Sequence, residues 1–184
     1  QHTQVTAEGV QINVAGGMGQ VMDYLRYVPG GRLEILDLPS GKIENITEGF
    51  DQADVSSLDL SFDATKVVFS MKQNGDDSYH IYWAGLERNA AGKFDIHQIT
   101  FGPQDDMHPV YVAGDKVAFI TNEGYTEMGT RADEYNHAQI VTQVATTSIE
   151  AGERKLCSQN LSHTINLFGM ADGRIGFSRW EHLE

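Results

Sequence analysis

One unit recurs along this chain: two short apolar runs joined by a tight polar turn. Residues 58–72 read LDLSFDATKVVFSMK, residues 108–121 read HPVYVAGDKVAFIT, and residues 165–179 read INLFGMADGRIGFSR. The apolar residues alternate with period two, the pattern of a strand. The turns are predicted at 63–65, 113–115 and 171–173. Aspartate and glycine tolerate the positive φ such turns require, so Asp63, Asp115, Asp172 and Gly173 are read as turn formers. RLEILDL (32–38) and IENITEG (43–49) flank the turn PSGK as a further hairpin, and SYHIYWAGL (78–86) and KFDIHQITFG (93–102) supply more strands. Long helical periodicity is absent. TRADEYNHAQ (130–139) is the one segment suited to a helical turn.

The hairpins begin near residues 58, 109 and 165. A period of roughly 50 residues with four strands per unit is the signature of propeller blades. The expected fold is all-β and β-propeller-like, with about three and a half four-stranded antiparallel blades. One domain spans 1–184, with 1–20 an N-terminal segment outside the clear pattern. First-blade strands are expected at 10–14, 21–29, 32–38 and 43–48. The second blade runs from 58 to 100. The third runs from 109 to about 158, with EGYTEMGTRADEYNHAQ inserted between its second and third strands. The fourth has two strands, 165–169 and 174–179. An open edge strand invites pairing, so a second copy or a companion chain is expected to complete that blade.

Charge narrows the partners. Lys and Arg number 13 against 26 Asp and Glu, a net charge of -13. Nucleic acid and anionic lipid both need a basic footprint, which is missing. No apolar run approaches the ~20 residues of a membrane span. Cys157 is the single cysteine, so neither a covalent c-type haem nor a zinc knuckle is expected. The chain opens on Gln1-His2-Thr3, which is read as the product of leader removal. The expected location is secreted, periplasmic or cell-surface.

Strand alternation also groups the chemistry. GPQDDMH and NLSH lead into first strands, while the long insertion and RWEH leave second strands, so all four belong on one face. That face gathers His80, His108, His137, His163 and His182 with Asp105 and Asp106, and leaves out His2 and His97. His108 and His163 are expected at nearly equivalent positions in successive blades. Neutral imidazoles suit copper, zinc, iron or nickel, whereas carboxylates suit harder ions. The plain alternative is that each histidine caps its own loop. Trp180 and His182 share one side of a strand end, and Trp180 joins the candidate metal set. Trp83 lies opposite His80 on its strand, and the plain reading of both tryptophans is packing between blades. Asp76-Asp77 and Asp105-Asp106 are candidate calcium ligands but follow no EF-hand loop, and a solvated turn is the plainer reading. No Gly-x-Ser-x-Gly elbow is present, and GGMGQV (16–21) lacks a βαβ context. No catalytic residue is assigned.

SFDATKVVFSMK, HIYW, QITFGPQDDMHPVYV, DEYNHA and ADGRIGFSRWEH resemble TolB-type β-propeller repeats over roughly residues 23–184. The variant they resemble is related to the middle domain of the hydrazine synthase alpha subunit. The resemblance implies an extracytoplasmic propeller, often part of a larger redox or metalloprotein assembly. Two features depart from it: no haem-attachment motif is present, and relatives continue past SRWEH. The Trp180-x-His182 pair is also similar to the surface copper proteins of methane-oxidising bacteria, which favours copper. The expected function is a non-catalytic module binding a metal ion or a protein partner through its His/Asp-rich face. The alternative is a subunit or fragment of a redox complex whose cofactor lies on another segment.

Overall fold

The computed structural model describes residues 3–5, 11–13, 27–123, 142–158 and 163–180. Two four-stranded antiparallel sheets dominate. The first joins β5 (Asp54–Leu60), β6 (Lys66–Lys72), β7 (His80–Arg88) and β8 (Phe94–Gln98) in chain order. The second joins β9 (Asp106–Val112), β10 (Lys116–Thr121), β11 (Gln143–Ser148) and β12 (Lys155–Leu156) the same way. Three two-stranded sheets accompany them: β1 (Thr3–Val5) with β2 (Gln11–Asn13), β3 (Glu34–Asp37) with β4 (Lys42–Asn45), and β13 (His163–Gly169) with β14 (Ile175–Trp180). The fold is all-β, and each four-stranded sheet has the up-and-down order of a propeller blade.

The three hairpin turns fall where the sequence places them. Ala64, Asp115 and Gly173 all adopt positive φ there, at 55°, 53° and 86°. In the β5–β6 turn Asp63 accepts hydrogen bonds from the Ser61 hydroxyl and from both the amide and hydroxyl of Thr65. These bonds stabilise the carboxylate and hold its pKa down at about 2.

Burial explains why the sheets stack. On β6, Val67, Phe69 and Met71 are buried on one face and Val68 on the other. On β10, Val117 and Phe119 oppose Ala118 and Ile120 in the same way. A strand apolar on both faces must be covered on both. One core therefore joins the first sheet to Leu33 and Ile46 beside the β3–β4 hairpin. A second lies between the two four-stranded sheets, where Val68 and Ile81 meet Tyr111, Phe119 and Ala145. A third joins Ala118, Ile120 and Val144 to Leu167, Ile165 and Ile175 of the β13–β14 pair.

The first unit departs from expectation. Residues 27–29, the described part of the expected strand 21–29, form no strand. The expected strand at 10–14 pairs with β1, not with β3 or β4. The reason lies in the hydrogen bonds. Pro29 has no N–H, Val28 N–H donates to Asp54 Oδ2 at 2.8 Å, and Gly31 N–H donates to Ala53 O at 2.8 Å. The donors a ladder would need go to the entry of β5 instead. That approach requires glycine: a Cβ on Gly31 would lie 2.7 Å from the Val55 nitrogen. Gly31→Ala should destabilise the fold by ~1–3 kcal/mol through forced backbone displacement. Urea denaturation measures this, and an unchanged midpoint would show that the contact has room to relax.

Candidate functional site

A shared irregularity sets the level of every inner-strand residue. In β5 the register shifts between Ser56 and Leu58, in β9 opposite the gap between Ala118 and Ile120, and in β13 between Ile165 and Phe168. Each shift is a bulge in which two residues face one. The first residue of each is Ser57, His108 or Asn166, with φ of 47°, 52° and 54°. Phe69, Phe119 and Phe177 are the residues they face. Counting from the bulge, His108 corresponds to Ser57 and Asn166, and His163 corresponds to Asp105 and Asp54. His108 and His163 are thus not equivalent as the hairpin pattern had implied, but three residues apart along the strand. The strand-entry end of three successive units carries Asp54, Asp105 and His163 at one level, with Lys72, Asn122 and Trp180 across the ladder.

At that end the carboxylates are already engaged. Asp105 accepts the Tyr79 amide at 2.9 Å and the Asn122 side chain at 3.3 Å, and lies 3.9 Å from Lys72 Nζ. Burial nonetheless raises its pKa. The Lys72 ammonium is buried and sits 4.9 Å from the Tyr79 ring centre, while the Tyr79 hydroxyl donates to Asp54 Oδ2 at 2.9 Å. Asp106 is fully buried, and Arg154 reaches across from the β11–β12 hairpin to donate to its Oδ2 at 2.6 Å. The same Arg154 nitrogen donates to Phe101 O at 2.9 Å, and Arg154 Nε lies 3.6 Å from Glu123.

The remaining sequence candidates are spread over this end. His80 is buried at the start of β7, with Nε2 3.4 Å from Asp77 Oδ1. Asp77 also accepts the amides of Gln73 and Ser78, and Asn74 accepts that of Asp76, so the Asp76-Asp77 loop is held as a capped turn. His108 is half-buried, and desolvation lowers its pKa, which keeps the imidazole neutral. His163 faces Trp180 across the β13–β14 ladder. His137 and His182 lie outside the described residues. Among the described residues no three His, Cys, Asp or Glu side chains group as a metal site. Trp83 stacks on His97 at 4.2 Å, with Lys66 Nζ 4.6 Å from its ring centre, and packs against the core between the two large sheets. Sequence reasoning passed over Lys72, Tyr79 and Arg154. No local signal marks them, because each reaches its aspartate from 25 or more residues away in sequence.

The opposite, hairpin end exposes large apolar side chains among charged turn residues. A cavity of about 360 Å³ opens there, between Leu58, Leu60 and Phe62 of the first sheet, Tyr111 of the second, and Leu167 and Phe168 of β13. Phe62 is 81% exposed, Leu58 60% and Phe168 55%. Burial and the nearby Asp59 and Asp63 raise the Tyr111 pKa, so this phenol stays neutral.

No family model and no curated protein matches the chain. Among solved structures, a candidate TolB from Agrobacterium tumefaciens is similar at 18% identity and a TM-score of 0.45. The match covers 68% of this chain and 40% of that one.

Two predictions follow from the charged groups. Arg154→Met leaves the Asp106 carboxylate buried without its cation and should cost ~3–5 kcal/mol. The double variant Arg154→Met plus Asp106→Leu should recover most of that loss, and a thermodynamic cycle with no coupling would refute the pairing. His108 titrates at lower pH in the folded chain than in the unfolded one, so its contribution is complete above the ordinary histidine pKa near ~6.5. It is lost as pH falls through the folded value. His108→Asn, which tolerates the left-handed backbone, should flatten the stability profile as pH falls below ~6.5. Equal slopes for the two proteins would count against this assignment.

Proposed function

We propose that this chain is a non-catalytic, extracytoplasmic binding module of propeller type that engages a protein partner. The observation that supports this is the group of exposed apolar side chains at the hairpin end, Leu58, Leu60, Phe62 and Phe168, which line the cavity together with Asp59. Exposed apolar clusters of this kind mark contact surfaces. The other end fits catalysis poorly, because Asp105 and Asp106 are engaged by Lys72 and Arg154. The extracytoplasmic location draws on the resemblance to TolB-type repeats.

A photoreactive phenylalanine analogue at position 62 tests the reading. Irradiation in the native extract should yield one discrete cross-linked polypeptide, and Leu60→Asp should abolish it. Labelling confined to solvent or to random products would reject the module.

Copper binding is the second reading, and it draws on the resemblance of the Trp180-x-His182 pair to the surface copper proteins, with His163 opposite Trp180 in the β13–β14 ladder. Equilibrium dialysis against Cu²⁺ should then show stoichiometric loading that His163→Ala removes. Loading that survives this change excludes His163 as a ligand.

A further inference from the structure

We propose that Asn74 is a self-deamidation site, converted in the folded chain to aspartate and isoaspartate through an imide with Gly75, and that the isoaspartyl form loosens the loop between β6 and β7.

The reaction needs only groups in the loop and water. The Gly75 amide nitrogen attacks Asn74 Cγ. A new N–Cγ bond closes the imide, and the bond from Cγ to Nδ2 breaks as ammonia leaves with the Gly75 amide proton. Water then opens the imide at Cγ, giving aspartate, or at the main-chain carbonyl, giving isoaspartate.

Asn74-Gly75 is the single Asn-Gly pair in the chain, and both residues are exposed. Three features of the turn suit the attack. The Asp76 amide donates to Asn74 Oδ1 at 2.9 Å. Negative charge develops on that oxygen as Gly75 adds, so the donor stabilises the tetrahedral stage. The Gly75 N–H and Asn74 Nδ2 donate to no group among the described residues, so neither nucleophile nor leaving group is tied. Gly75 has no Cβ to shield the reacting carbon, and packing fixes that choice. A Cβ there would lie 3.1 Å from Tyr27 Cε1, and the Tyr27 hydroxyl is held by Gln52 O.

Other positions lack one or more of these features. Asn89 accepts the Ala91 amide in the same way at 2.9 Å, but a Cβ-bearing residue, Ala90, follows it, and its Nδ2 donates to Asp95. Asn122 donates through Nδ2 to Asp105. At Asp172-Gly173 the glycine N–H is engaged by Met170 O at 2.9 Å.

The consequence lies in the same turn. Asp77 accepts the amides of Gln73 and Ser78 and sits 3.4 Å from His80 Nε2, while the Ser78 hydroxyl donates to Pro103 O at 2.9 Å. An isoaspartate at position 74 inserts a methylene into the main chain between the two amides that Asp77 holds. Either product also places a further negative charge beside Asp76 and Asp77, in a chain already at -13.

The test is ageing of the full chain at neutral pH, with the synthetic peptide 73–88 as a clock for the unrestrained sequence. Trypsin releases the same stretch from the chain, between Lys72 and Arg88, with no other asparagine in it. That stretch should gain the mass difference between O and NH and accept methyl groups from an isoaspartyl methyltransferase, at a rate within about tenfold of the free peptide. A slower rate would overturn the site. The tryptic stretch 89–93, which holds Asn89, should stay unchanged, and equal conversion there would refute the selectivity. Asp76→Pro removes the donor to Oδ1. Measured in chain and peptide alike, it should lower the ratio of the two rates about threefold or more. An unchanged ratio would overturn the role given to the Asp76 amide. In the isoaspartyl form, exchange of the Gln73 and Ser78 amides should speed up roughly tenfold, and retained protection would overturn the loosening of the loop.

Discussion

A sheet with two apolar faces needs a neighbour on each side, and this requirement organises the chain. β6 and β10 bury residues on both faces, so neither large sheet is stable as an isolated layer. Stacking resolves the problem one unit at a time, and each interface draws on two consecutive units in sequence. Stability is then a chain of nearest-neighbour terms, as in other repeat architectures. The ends of such a stack are its weak points, because a terminal unit has one interface where an internal unit has two.

Inside each unit the bulge does two jobs. It bends the inner strand, and it fixes which residues lie level with one another across units. Three non-glycine residues take up left-handed backbone for this purpose, although glycine would do so with less strain. Ser57, His108 and Asn166 are all polar, and serine and asparagine side chains bond readily to nearby backbone. Opposite each stands a phenylalanine, Phe69, Phe119 or Phe177. The bulge and the aromatic residue form one repeated device, and it is a better ruler for the chain than the hairpin turns are.

The fold was largely legible in the sequence because period-two alternation and Asp/Gly turns are local signals. The turns at 63–65, 113–115 and 171–173 needed nothing beyond their own residues. The first unit misled because residues 27–31 are tied by long-range bonds to Ala53 and Asp54, which no local pattern announces. The bulges were missed for a related reason. They appear in sequence only through the recurrence Lys66-Val-Val-Phe69, Lys116-Val-Ala-Phe119 and Arg174-Ile-Gly-Phe177, read backwards across a turn. The strand-entry face could be gathered from topology, which is how Asp105, Asp106, His80 and His163 came to be grouped. Topology gave no account of their partners. Lys72 reaches Asp105 from the next strand of the neighbouring sheet, and Arg154 reaches Asp106 from 48 residues away.

Those partners bear on how an acidic chain uses its few cations. With 26 acidic residues against 13 basic ones, one-to-one pairing leaves half of the carboxylates to water. An exposed carboxylate loses little by this, since solvent screens it. A buried one loses several kcal/mol unless a cation or several donors face it. Lys72 and Arg154 are placed where that cost would be greatest, beside Asp105 and the fully buried Asp106. Both aspartates stand at the entry to β9, the inner strand that packs against units on either side. Pairing there does more than cancel charge. Arg154 also bonds to Phe101 O, so one guanidinium ties the outer hairpin of the second sheet to its inner strand and to the segment leaving the first. The strand-entry end is thereby stiffened by polar bonds directed inward, whereas the hairpin end exposes Leu58, Phe62 and Phe168.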